Sequence, residues 1–176
     1  MVFRRFEVEM DLGMELPQTV ERLNQLVTEK KADFFHSRFY PAGHHIPQLQ
    51  EWFTYALSNE TLQLTRMNYT RFAQKEMNAV FEPQFIMHAS APMHYEQVPG
   101  RHFDHQALVN ELCRAGYEFL LLSHVFNVHP GVKTEVTLVE RIIRHNTRDE
   151  RALFKQRYNA YLDERYPPSA ECPRIV

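Results

Sequence analysis

The chain has 176 residues, 44% hydrophobic and 24% charged, with thirteen Phe and eight Tyr. That composition fits one globular domain with an aromatic core, or a large piece of one, and excludes a disordered chain. A net charge of −2 leaves no basic footprint for nucleic acid. No apolar run approaches the ~18 residues of a membrane span, and the opening MVFRRFEVEMDLG lacks the apolar segment of a signal peptide.

Phe3 to Met10 alternates around Phe6 and Val8 and reads as a strand, with Glu7 and Glu9 on a face read as wet. Pro17 to Lys31 reads as a helix whose inner face is Val20, Leu23, Leu26 and Val27. Phe34 to Tyr40 is a short aromatic strand candidate. Pro41 to Arg71 is expected to be irregular and contains the single Trp52. Ala79 to His88 reads as a strand broken at Pro83, and Ala89 to His102 as a loop. Asp104 is placed to N-cap a helix with Ala107, Leu108 and Leu112 inward, closed by Gly116 at the position after the cap. Tyr117 to Val128 is apolar enough for a strand buried on both faces. A polar linker leads to a helix over Arg148 to Tyr166 with Phe154, Tyr158, Tyr161 and Leu162 on one side. Pro167-Pro168 ends it, and the tail to Val176 is expected to fray. Strands alternating with helices predict the α/β class.

Cys113 and Cys172 are too few for a disulfide framework, and Cys113 is expected as a small buried hydrophobe. Asn59-Glu60-Thr61 and Asn68-Tyr69-Thr70 are glycosylation sequons and hint at a lumenal chain. His44, His45, His94 and His102 fall in loops and are expected in solvent; no pair has the spacing of a zinc motif. The sequence has no phosphate loop, dinucleotide fingerprint or nucleophile elbow.

The stretch richest in chemistry is His129-Pro130-Gly131-Val132-Lys133, a turn after a buried strand, where ligands gather in open α/β sheets. His129 can ligate a divalent metal, Gly131 admits close backbone approach, and Lys133 supplies a positive charge for phosphate. The alternative is a plain loop His and a surface Lys. Asp104 at a helix start is a candidate base or simply a cap. Glu82, before Pro83 in an apolar run, must be exposed, paired or functional.

The order of these pieces resembles glycosyltransferase family 49, which includes LARGE-type and beta-1,4-glucuronyltransferase domains. The likeness runs from about Val2 to Pro167. It is carried by Phe6-Glu7-Val8, the Pro17 to Leu26 helix, Trp52 and Phe81-Glu82-Pro83. It continues through Glu111-Leu112 with Ala115-Gly116-Tyr117-Glu118-Phe119, then His129, Gly131 and Lys133, and Phe154 with Tyr166-Pro167. The resemblance implies the C-terminal half of a GT-A-like nucleotide-sugar transferase fold over residues 1–167, a mixed sheet flanked by helices, with 168–176 as a tail. It further implies inverting transfer of a sugar, glucuronic acid among the options, from a UDP-sugar donor to a glycan acceptor with Mn²⁺. His129 would bind the metal and Lys133, with Gly131, the diphosphate. Asp104 would act as base, and Glu82 would shape the acceptor site. The Golgi lumen, reached through an N-terminal membrane anchor, is the expected compartment.

Several positions depart from the family pattern. Gly100-Arg101-His102 stands where the family has Gly-Tyr-Gly, His105 replaces an Arg, and Tyr95-Glu96-Gln97-Val98 replaces an acidic-aromatic segment. No Asp-x-Asp occurs. The chain alone is therefore expected not to turn over, and its exposed sheet surface to favour self-association. A non-catalytic glycan- or partner-binding remnant, or a cytosolic protein without sugar chemistry, are the alternatives.

Overall fold

The computed structural model describes residues 1–11, 13–46, 48–67, 81–172 and 174–175. They fall into two compact units. The first comprises Met1–Met67, Pro83–Ile86 and Phe119–Thr134; the second takes in Met87–Glu118 and Glu135–Val176, with Phe81 and Glu82.

The first unit is a mixed sheet with helices. Its described strands are β1 (Val2–Val8), β2 (Ala32–Phe34), β3 (Leu64–Met67), β4 (Gln84–Phe85) and β5 (Phe119–Pro130); its helices are α1 (Val20–Thr28), α2 (Pro41–His44) and α3 (Leu49–Ser58). The path runs β2-β1-β5-β3, and β4 also pairs with β1. β1 and β5 run parallel, with Glu7 opposite His129 and Val8 opposite Pro130; the other pairings are antiparallel. The parallel pair brings two carboxyl-terminal strand ends side by side.

Strand alternation places Phe6 and Val8 on one face of β1. There they meet Val20, Leu23 and Leu26 of α1 and Trp52, Phe53 and Ala56 of α3. Trp52 stacks on Phe6 with centroids 5.6 Å apart, carries the Arg4 guanidinium 4.7 Å from its ring centre, and donates its indole N–H to the Ser123 carbonyl. A buried Trp thus satisfies its one polar atom within the core. α1 starts later than the sequence pattern predicts because Thr19 caps it, its hydroxyl accepting from the Arg22 amide at 3.3 Å.

Five expectations for this unit need correction. The Pro41 to Arg71 stretch is not wholly irregular: it contains α2, α3 and β3. The aromatic candidate at Phe34 to Tyr40 ends as a strand at Phe34 and turns at His36, whose φ is +55°. β5 is well covered only in its first half; Val125, Asn127 and His129 are exposed, so the apolar run is not buried on both faces throughout. Glu7 is not on a wet face: it is 0% exposed, because the His36 and Lys133 backbone and the His129 side chain lie over it. Of the Ala79 to His88 strand, only Gln84–Phe85 is found among the described residues, just past Pro83; Ala79 and Val80 lie outside them.

The second unit is helical: α4 (Asp104–Arg114), α5 (Leu138–Asn146) and α6 (Arg148–Arg165). Phe154, Tyr158 and Leu162 of α6 pack with Ala107 and Ile175, and the Tyr158 hydroxyl donates to the Ala107 carbonyl. α4 closes as the sequence indicates. Gly116 has φ +80°, its amide donates to Cys113 O at 3.0 Å, and the Tyr117 amide donates to Leu112 O at 2.9 Å. Asp104, however, is the first helical residue and not the cap; Phe103, with φ +57°, holds that position without a side-chain cap bond. α5 arises where a linker is expected. Its Thr137 and Glu140 form a reciprocal capping box, and Glu140, 4% exposed, also pairs with Arg101 at 3.0 Å.

The cysteines and the tail also depart from expectation. Cys113 and Cys172 are joined in a disulfide with Cα atoms 5.8 Å apart. Arg114 beside it is buried and donates to the carbonyls of Tyr166 (2.9 Å) and Pro167 (3.1 Å) and to the Asp163 carboxylate (3.1 Å). Ile175 is 1% exposed. The tail is therefore tied to α4 by a covalent bond and packed against α6 by the buried Ile175, where composition alone indicates fraying.

Candidate functional site

His129, Gly131 and Lys133 come together in the first unit, at the carboxyl-terminal end of β5. Gly131 adopts φ +84°, a conformation that disfavours any side chain, and its amide closes the strand end on Val8 O at 2.8 Å. A Cβ there would meet nothing within 4 Å, so glycine is required by the turn itself and not by a neighbouring atom. The His129 ring leans on Phe35 with centroids 5.4 Å apart, and its Nδ1 lies 3.3 Å from Gly131 O. When that nitrogen carries the proton, Nε2 presents a lone pair, the form that ligates metals. Lys133 is half-buried, its Nζ 4.2 Å from the centre of Phe39.

Under this turn lies Glu7, which sequence reasoning misread. Burial raises its pKa; the backbone N–H groups of His36 and Lys133 and the ring of His129 act in the opposite direction. Neither of its oxygens has a partner at full hydrogen-bond geometry. His36 and His44 meet edge to face at 5.1 Å, and His44 packs on Phe35 at 4.9 Å. His44 is buried, contrary to its expected place in solvent, whereas His45 and His94 are exposed. The signal for Glu7 was its place between Phe6 and Val8 in a strand flanked on both edges: there its face, too, can be covered.

His129 alone does not make a metal centre. Among the described residues no three His, Cys, Asp or Glu converge on a point that could hold a metal ion. The ligands present do not fit a manganese ion without others from outside them.

Glu82 and Asp104 come together in the second unit. Glu82 is pushed up to about 7, first by burial and then by the charge of Asp104, while the bond from Gln106 works the other way. That bond runs from Gln106 Nε2 to Glu82 Oε1 at 2.5 Å. His102 is 9% exposed and not solvated as expected. Its pKa is lowered by burial and by the cations of Arg151 and Arg144, against an opposing pull from Asp104. Glu82 is poised where a proton can be taken or returned near neutral pH, the property a general base requires. Gln106 was absent from the sequence reading; its position two residues into a helix after Asp104 gave no sign of the pairing.

Asn59 follows α3 and is exposed, its Nδ2 donating to Tyr55 O at 3.0 Å. Asn68 lies outside the described residues.

The collinear motifs and the mixed α/β architecture agree with a direct comparison. The model of the family described as glycosyl-transferase for dystroglycan matches residues 1–167. The chain belongs to this glycosyltransferase family. No curated protein matches it.

Proposed function

We propose that this domain serves glycosyl transfer from a UDP-sugar to a glycan hydroxyl, with Glu82 as the base. The observation that carries the reading is the carboxyl of Glu82, held near neutrality by burial and by Asp104. In the transfer, the bond from the anomeric carbon to the diphosphate breaks and a bond to the acceptor oxygen forms. The hydroxyl proton passes to the Glu82 carboxylate, which also accepts from Gln106 Nε2. Asp104 tunes Glu82 and is a positioning residue, which reverses the order of the two roles inferred from sequence. Lys133, with the turn made by Gly131, offsets charge on the leaving diphosphate. His129 is the one metal ligand this stretch offers, and Mn²⁺ requires further ligands outside the described residues. Because their sequence contains no Asp-x-Asp, the 176 residues alone are proposed to bind donor without turning it over. A lumenal compartment such as the Golgi suits both the disulfide and the Asn59 sequon; glucuronic acid as the sugar rests on the family likeness alone.

The test is calorimetric titration of the chain with UDP, followed by incubation with UDP-sugars and Mn²⁺. The expected result is UDP binding that Lys133→Ala weakens about tenfold, with no sugar released. Sugar release by the chain alone overturns the claim of incompetence, and unaltered UDP binding by Lys133→Ala overturns the diphosphate role.

A further inference from the structure

A cavity lies wholly within the second unit and shares no residue with the groups assigned to transfer. It measures about 580 Å³ and is lined by Tyr95, Tyr117, Tyr161 and Tyr166, with Glu111 and Arg165. Glu111 is 1% exposed on the inner face of α4. Its Oε1 accepts from the Tyr161 hydroxyl at 2.8 Å and the Tyr166 hydroxyl at 3.1 Å, while its Oε2 is enclosed and has no hydrogen-bond partner. A buried carboxylate oxygen without a donor is costly, and Glu111 is one of the residues that line the cleft.

The walls indicate the donor's chemistry. Tyr95 and Tyr161 rings lie 4.7 Å apart, Tyr117 is 43% exposed at the rim, and the Arg165 guanidinium sits 4.5 Å from the Tyr161 ring centre. Tyrosine rings offer flat apolar faces to C–H groups, and the carboxylate accepts from O–H groups; a pyranose presents both. Glu96 and Glu111 outnumber Arg165 among the charged lining residues, which disfavours an anionic ligand. Tyr161 is itself pushed up to about 12 by burial and by Glu111, so it remains protonated and keeps donating to Oε1.

We infer that this tyrosine cleft is a saccharide-binding site for a neutral pyranose, anchored by Glu111 and separate from the transfer groups. It does not depend on the transfer reading, because none of its residues enters that chemistry.

The experiment is titration of the ¹⁵N-labelled chain with cellotriose and chitotriose, with trigalacturonate as the charged comparator. The expected result is saturable millimolar binding of a neutral trisaccharide that shifts the amides of α4 and α6. Tyr117→Ala and Glu111→Gln each weaken it at least about tenfold. Tyr117→Ala alters only an exposed rim ring, so its result stands even if Glu111→Gln disturbs the fold. Three outcomes overturn the proposal: no neutral trisaccharide titrates, Tyr117→Ala binds as the parent does, or trigalacturonate binds more tightly than either neutral sugar.

Discussion

The two units are stabilised by different means. In the first, stability comes from packing: Phe6, Trp52, Phe53 and Phe126 form an aromatic cluster between sheet and helices. In the second, packing of Phe154, Tyr158 and Leu162 is supplemented by point attachments: the Cys113–Cys172 bond, the Arg114 fan onto the end of α6, and Glu111 between two tyrosines. The difference teaches where each unit is vulnerable. A packed core loses stability to a void, whereas a tethered one loses it to a missing attachment. Function divides similarly: the first unit offers a cation and an imidazole at a strand end, and the second offers carboxylates in low-dielectric surroundings.

The largest expected effect comes from emptying the first core. Phe6→Ala should cost about 3–5 kcal/mol, read as a lower denaturant midpoint and as faster hydrogen exchange in β1 and β5. If α4 and α6 lose protection equally, the two units are not separable in stability and the contrast fails.

Next comes the tether. The disulfide closes 59 residues, and a loop of that size is worth about 4 kcal/mol in the chain-entropy account. Cys113→Ser with Cys172→Ser should therefore lower the protection of α4 and α6, measured by exchange mass spectrometry, by somewhat less than Phe6→Ala lowers that of the sheet. An unchanged α6 would mean that Arg114 and the apolar face suffice to hold the tail.

The smallest effect sharpens the electrostatic half of the comparison. Glu82 has a folded pKa above its unfolded one, so folding favours its protonated form. Its contribution is complete below the ordinary value of 4.5 and is lost as pH rises through about 7. Stability should thus fall between those limits, by on the order of 1–3 kcal/mol. Glu82→Gln should flatten that slope, and thermal melts across pH would reveal it. A variant that keeps the parent's slope would assign the titration to another group.

Much of this was readable from residues alone, and the failures have physical causes. α6 was legible because Phe154, Tyr158 and Leu162 repeat at helical spacing, and the end of α4 because only glycine suits φ +80° at position 116. α3 was missed because Pro41, Gly43 and Pro47 just before it suggested a loop, and its apolar face is short. α5 was missed although Thr137 and Glu140 stand at capping-box spacing. The disulfide was not legible because two cysteines 59 positions apart are brought together only by the tertiary fold. Glu7 failed for a related reason: alternation assigns a residue to a face but does not say whether that face is covered. At the candidate site, the turn at His129 to Lys133 was legible as strand followed by glycine. The raised pKa of Glu82 was not, since it depends on burial and on the charge of Asp104.

The bond between Cys113 and Cys172 also makes the chain a record of its own history. Both thiols are consumed in it, so a molecule that matured under oxidising conditions has none to alkylate, and one kept among reductants has two. Counting alkyl groups on protein taken directly from cells would therefore report the surroundings each molecule has passed through, without reference to any address written in the sequence.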